Sequence, residues 1–87
     1  MAVMYTIELK SQPQKFVRDL PKNLQTRVLD KIEGLKQDPT PANSEQLHSN
    51  PELRRIRSGQ YRIIYHSDYS RNHIIVTKIG HRKDVYR

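Results

Sequence analysis

The chain of 87 residues contains no cysteine, which excludes disulfides, thiolate nucleophiles and cysteine-ligated zinc. It has no tryptophan and a single phenylalanine, and only 34% of it is apolar. At this length that makes a thin core, so residues 1–87 are expected to form one domain of marginal stability. No apolar run approaches the roughly 20 residues of a membrane span. No basic-then-apolar leader opens the chain, and the expected location is the cytoplasm. Acidic residues are also scarce. Nine Asp and Glu stand against sixteen Lys and Arg, for a net charge of +7. A small domain this basic meets nucleic acid, an anionic surface or an acidic protein, and nucleic acid is the leading expectation.

The scarce acids also limit the chemistry. A hydrolytic metal site needs converging carboxylates or a histidine cluster. The nine acids are dispersed, and His48, His66, His73 and His81 lack ligand spacing. No acid is expected on the arginine-bearing surface described below. No metal and no cofactor are expected, and neither a Ser/His/Asp site nor a glycosidase carboxylate pair has motif support.

What is present is strong patterning. Met4 to Lys10 alternates apolar and polar residues, with Tyr5, Ile7 and Leu9 on one face, and reads as a strand. Ser11 is the expected cap of a short helix ending near Leu20, with Gln14 as capping-box partner and Pro13 in the first turn. Phe16 and Leu20 are expected to face inward. Pro21 opens a second helix whose apolar stripe is Leu24, Val28, Ile32 and Leu35, and Asp38-Pro39 stops it. Asp38 to Pro51 reads as a loop anchored by Leu47. Three strands follow. The last is His73 to Ile79, with Ile74 and Val76 on one face and Ile75 and Ile79 on the other. The expected fold is α+β, in the order β-α-α-β-β-β. A small antiparallel sheet of about four strands carries an αα-hairpin on one face.

The most informative stretch is Leu53 to Tyr65, which reads as a β-hairpin turning at Ser58-Gly59. That turn sets Arg57 opposite Gln60, Arg55 opposite Arg62, Ile56 opposite Tyr61 and Arg54 opposite Ile63. One face then carries Ile56, Tyr61, Ile63 and Tyr65, and the other carries Arg55, Arg57 and Arg62. Like charges facing each other across strands are destabilising, so such a row is expected to bind an anion. Arginine offers planar, bidentate donors to phosphate. RNA supplies its own nucleophile, the 2′-hydroxyl. A metal-free protein can cleave it with a base, cations for the pentacoordinate oxyanion and an acid for the leaving oxygen. Arg55, Arg57, Arg62 and Arg82 suit the cationic task. His81 and Tyr86 are candidate proton-transfer groups, and Lys83 adds to the basic tail. The residues alone leave open a phosphate-binding surface without catalysis.

The hairpin Arg55-Ile56-Arg57-Ser58-Gly59-Gln60-Tyr61-Arg62-Ile63-Ile64-Tyr65, with the tail Gly80-His81-Arg82-Lys83-Asp84-Val85-Tyr86, resembles the RelE branch of the RelE/ParE toxins of type II toxin–antitoxin systems. The resemblance implies a metal-independent endoribonuclease that cleaves mRNA in the ribosomal A site. By position, Arg62 and Arg82 resemble the family's phosphate-stabilising arginines, and Tyr86 its terminal catalytic tyrosine. Arg55 falls where the family often has a catalytic lysine; arginine does not deprotonate, so its expected role is charge stabilisation. Related toxins use a histidine near the tail, which implicates His81. The partners implied are a cognate antitoxin, the ribosome and mRNA, with operator DNA reached only through the antitoxin and no membrane. The alternatives are a ParE-type gyrase inhibitor and a non-catalytic RNA-binding module.

Overall fold

A computed structural model of the chain describes residues 4–81. Strand β1 (Thr6–Leu9) leads into helices α1 (Ser11–Arg18) and α2 (Lys22–Gly34). Strands β2 (Glu45–Gln46), β3 (Leu53–Ser58), β4 (Tyr61–Asp68) and β5 (His73–His81) follow. The sheet order is β1-β5-β4-β3-β2. Two features depart from the expected four-stranded antiparallel sheet. Glu45 and Gln46, inside the expected loop, pair with Arg55 and Arg54 as a short fifth strand. And β1 runs parallel to β5, so the sheet is mixed. The helical pair carries the chain from β1 at one edge of the sheet to β2 at the other, and the β3–β4–β5 meander returns to lie beside β1.

Both helices cover one face of the sheet. Val17, Val28, Ile32 and Leu35 pack on Ile56, Ile63, Tyr65, Ile74, Val76 and Ile79. The apolar stripe of α2 is as expected, although Leu24 is only half-buried. The helix ends at Gly34, short of Asp38, and Leu35 and Lys36 continue in tight turns onto Ile32 and Glu33. In α1 the cap position falls on Lys10 and not on Ser11. Gln14 hydrogen-bonds the Leu9 carbonyl (2.7 Å). Gln12 does something the sequence pattern did not suggest. Its Nε2 donates to the Ile79 carbonyl (2.7 Å), and its Oε1 accepts from the Ile79 N–H (2.9 Å). Where β1 leaves the sheet, this side-chain amide takes over the pairing of β5 and satisfies two backbone groups otherwise left open.

The β3–β4 hairpin turns at Gly59-Gln60, one residue later than expected. Gly59 has φ +60°, and a positive φ at the first turn position alone is the requirement of a type II′ hairpin turn. The register is therefore Ser58 opposite Tyr61, Arg57 opposite Arg62, Ile56 opposite Ile63, Arg55 opposite Ile64 and Arg54 opposite Tyr65. The pairing differs by two residues from the expected one. Because side chains alternate with a period of two, every residue keeps its expected face.

Strand β5 is different. Ile64 pairs with Lys78 but Tyr65 pairs with Val76, which leaves Thr77 as the extra residue of a β-bulge. The Thr77 hydroxyl donates to the Ile64 carbonyl (3.3 Å). The bulge re-phases the strand. Ile79 joins Ile74 and Val76 in the core, all fully buried, and does not share the face of Ile75 as strict alternation predicted. The loop before β3 is held by more than Leu47. Arg54 donates to the Ser44 hydroxyl through Nε (3.1 Å) and Nη2 (2.9 Å), and the Tyr65 hydroxyl donates to the Pro39 carbonyl (2.7 Å). No helix among the described residues is long and apolar enough to cross a membrane.

Candidate anion-binding site

The face of the sheet away from the helices carries Arg55, Arg57 and Arg62. Arg62 sits on β4, the central strand, with Arg57 directly across on β3 and Gly80 directly across on β5. Gly80 offers no side chain on this face. Arg62 is nevertheless only 7% exposed, which immobilises its stem. Ile64, next along this face, is buried between its cross-strand neighbours Arg55 and Lys78. Long basic side chains cover apolar surface with their stems and keep their charges in water. The face is thus an apolar floor under a basic roof.

An acid also lies on this face, against expectation. Glu45, directly opposite Arg55 in the β2–β3 pair, accepts a hydrogen bond from Arg55 Nη2. That bond, followed by the charges of Arg55, Arg57 and Arg62, holds its carboxyl below the usual range. Asn43, Glu45, Arg55 and Arg57 line a shallow depression of about 290 Å³. Glu45 is ten residues from Arg55 in sequence and reaches it only through a two-residue edge strand. Its sole sequence signal was its place in a loop just before a basic strand.

The remaining candidates separate. His81 lies opposite Tyr61 on the helix-covered side, because the bulge sends Gly80 to the arginine face. Its ring centroid is 5.1 Å from that of Tyr61 and 6.3 Å from that of Phe16. It therefore does not join the arginine row. Arg82, Lys83 and Tyr86 lie outside the described residues. His66 does share the open face, at the far end of β4, with Nδ1 3.1 Å from the Glu52 carbonyl. Among the described residues no three His, Asp or Glu cluster as a metal site would need.

Another polar cluster ties β1 to β5. His73 Nε2 lies 3.0 Å from Glu8 Oε1, and its Nδ1 lies 2.8 Å from the Thr6 hydroxyl. A carboxylate only accepts, so Nε2 carries the proton and donates to Glu8. Lys10 completes the chain at 3.3 Å from the other oxygen. His73 and then Lys10 hold the Glu8 carboxyl below its ordinary value of 4.5. A lowered folded-state pKa contributes stability above the unfolded value and loses it as pH falls through the folded one. Glu8→Gln is therefore expected to lower the urea midpoint at pH 7. The gap from the parent should close as pH falls from 4.5 through the folded pKa. A gap that persists unchanged at pH 2 would show that the carboxylate charge is not what matters.

Solved structures share this architecture. A chain of the archaeal RelE–RelB complex from Pyrococcus horikoshii OT3 matches with a TM-score of 0.81 at 26% identity, over 94% of this chain and 99% of that one. The isolated E. coli RelE toxin matches in fold, with a TM-score of 0.77 at 21% identity over 94% and 90% of the two chains. A mixed, mostly antiparallel sheet of five strands with a helical hairpin on one face is thus the RelE-like toxin fold. In sequence, the Methanocaldococcus jannaschii protein RelE1 is 28% identical over 86 residues, 95% of this chain and 96% of that protein. The family model of the ParE toxin of type II toxin–antitoxin systems, parDE, matches residues 7–86. The chain belongs to this RelE/ParE family of type II toxins.

Proposed function

We propose that the protein is a RelE-type mRNA interferase, a metal-independent endoribonuclease that acts in the cytoplasm on mRNA in the ribosomal A site and is restrained by a cognate antitoxin. The observation that carries this reading is Arg62, buried at the middle of the sheet face turned away from the helices, between Arg57 and the side-chain-free Gly80. A phosphodiester laid on that face meets two arginine forks. The 2′-oxygen attacks phosphorus and gives its proton to a base. The bond from phosphorus to the 5′-oxygen breaks, and an acid protonates that oxygen. The products are a 2′,3′-cyclic phosphate and a 5′-hydroxyl. Arg62, Arg55 and Arg82 stabilise the charge that builds on the equatorial oxygens, which is the task most sensitive to donor geometry. Arg57 and Lys83 bind flanking phosphates.

The proton transfers belong to the tail. Tyr86 is the stronger candidate, because His81 packs on the helix side of the sheet against Tyr61. Restraint by an antitoxin follows the archaeal relative, whose structure is that of a RelE–RelB complex. The match to the ParE family model favours a second reading, inhibition of gyrase. The tail Gly80-His81-Arg82 with Tyr86 four residues on favours RNA chemistry over it. The experiment is a coupled cell-free system scored for translation and for supercoiling. Translation should stop and mRNA ends should map to the A site with cyclic phosphate termini. Loss of supercoiling with intact mRNA would establish the gyrase reading instead.

A further inference from the structure

We propose that the depression lined by Asn43, Arg55 and Arg57 is a subsite for an RNA backbone phosphate, and that the Glu45 carboxylate fills it in the free protein as an internal competitor. This rests on the nucleic-acid reading above but not on cleavage. Glu45 and Arg55 are directly opposed on β2 and β3, so both side chains rise on the arginine face. A carboxylate presents two acceptor oxygens in one plane, and an arginine fork donates to these as readily as to two phosphate oxygens. Glu45 is also held in place. On its N-terminal side, Ser44 is buried and gripped by Arg54 through two nitrogens. On its C-terminal side, Gln46 Nε2 donates to the Pro51 carbonyl (2.6 Å).

The Glu45 side chain itself is 62% exposed, whereas that of Arg55 is 24% exposed. An exposed ion pair is weak and screened by salt. A polyanion that also engages Arg57 and Arg62 therefore displaces the carboxylate, and Glu45 turns outward while Arg55 stays. The depressed carboxyl of Glu45 fits this role, since the group stays charged throughout the physiological range. The same property makes it a poor proton acceptor, because a good general base has a pKa near the working pH. Glu45 is thus a gate on affinity. It lowers binding to stray polyanions and leaves the row available to a phosphate fixed in position by other contacts.

The test uses the full chain and a short fluorescein-labelled 2′-O-methyl oligoribonucleotide, which lacks the nucleophile and cannot be cut. Anisotropy is followed across a salt series. Glu45→Gln is expected to bind about three- to tenfold more tightly at low salt. The slope of log K against log salt should steepen by about 0.7, the increment for one more phosphate contact on a single strand. Glu45→Ser should act in the same direction. Glu33→Gln, which makes the same charge change beside Lys36 on α2, should leave binding within about 1.5-fold. In an Arg55→Ala background the gain from Glu45→Gln should vanish. Equal gains from Glu33→Gln would show an effect of bulk charge and overturn the proposal. Unchanged or weaker binding by Glu45→Gln would overturn it too. Failure of the cleavage reading appears separately, as bound but uncut 2′-hydroxyl RNA on the ribosome.

Discussion

Arg62→Lys is expected to reduce the single-turnover rate of mRNA cleavage by about 100-fold, the usual cost of losing one oriented donor to a transition-state oxyanion. Folding stability and RNA affinity should hardly change. Lysine keeps the charge and most of the stem. It loses the planar fork that spans two oxygens at once. The position magnifies the loss. Arg62 is on the central strand and 7% exposed, so its stem is fixed by its neighbours. With Gly80 across from it on β5, no side chain there can substitute for the missing nitrogen. Arg57→Lys is the matched comparison. Arg57 is exposed, and a flanking phosphate contact needs charge more than geometry, so its rate should fall by less than about fivefold. Rates measured on programmed ribosomes, with urea midpoints in parallel, decide the matter. Similar rates for Arg62→Lys and the parent would remove Arg62 from the chemistry. A lowered midpoint matching the lowered rate would assign the loss to folding.

Much of this architecture could be read from residue order, for a definable physical reason. The stripe Leu24, Val28, Ile32, Leu35 and the alternation from Leu53 to Tyr65 are local patterns, and local patterns set which side chains share a face. Even the two-residue error in hairpin register left Arg55, Arg57 and Arg62 together, because only odd shifts exchange faces. Contacts made across the chain were not legible. The pairing of β1 with β5 joins Thr6 to His73, and nothing near Thr6 encodes that partner or its parallel sense. Strand β2 is Glu-Gln, with no apolar alternation to mark it, so the acid it delivers to Arg55 was missed. Gln12 looked like an ordinary first-turn residue but is committed to the backbone of Ile79. His81 was a proton-transfer candidate as part of the tail, and its place in sequence does not say which side of the sheet it takes. The bulge at Thr77 decides its face.

That bulge produces a stability effect that alternation alone would misassign. Ile79→Ala is expected to cost about 3 kcal/mol, and Ile75→Ala less than about 1 kcal/mol. Regular alternation puts the two isoleucines on one face and predicts similar losses. With Thr77 as an extra residue, Ile79 lies in the core across from Ile63, and both are fully buried. Ile75 stays on the open face opposite His66 and is half-buried. Little relaxation is available at position 79. Gln12 holds its backbone on both the N–H and the carbonyl, so the strand cannot move inward to fill the space left by the three lost side-chain carbons. In a domain of this size about 3 kcal/mol corresponds to a fall in melting temperature of roughly 15 °C, a large share of the 5–15 kcal/mol that holds a small protein folded. Thermal and urea denaturation of the two variants side by side would decide the point, and equal shifts would mean that β5 runs without its bulge. The consequence reaches the site. The phase that buries Ile79 also turns Gly80 toward Arg62, so a β5 without the extra residue's re-phasing would place a side chain against the guanidinium on which the proposed chemistry depends.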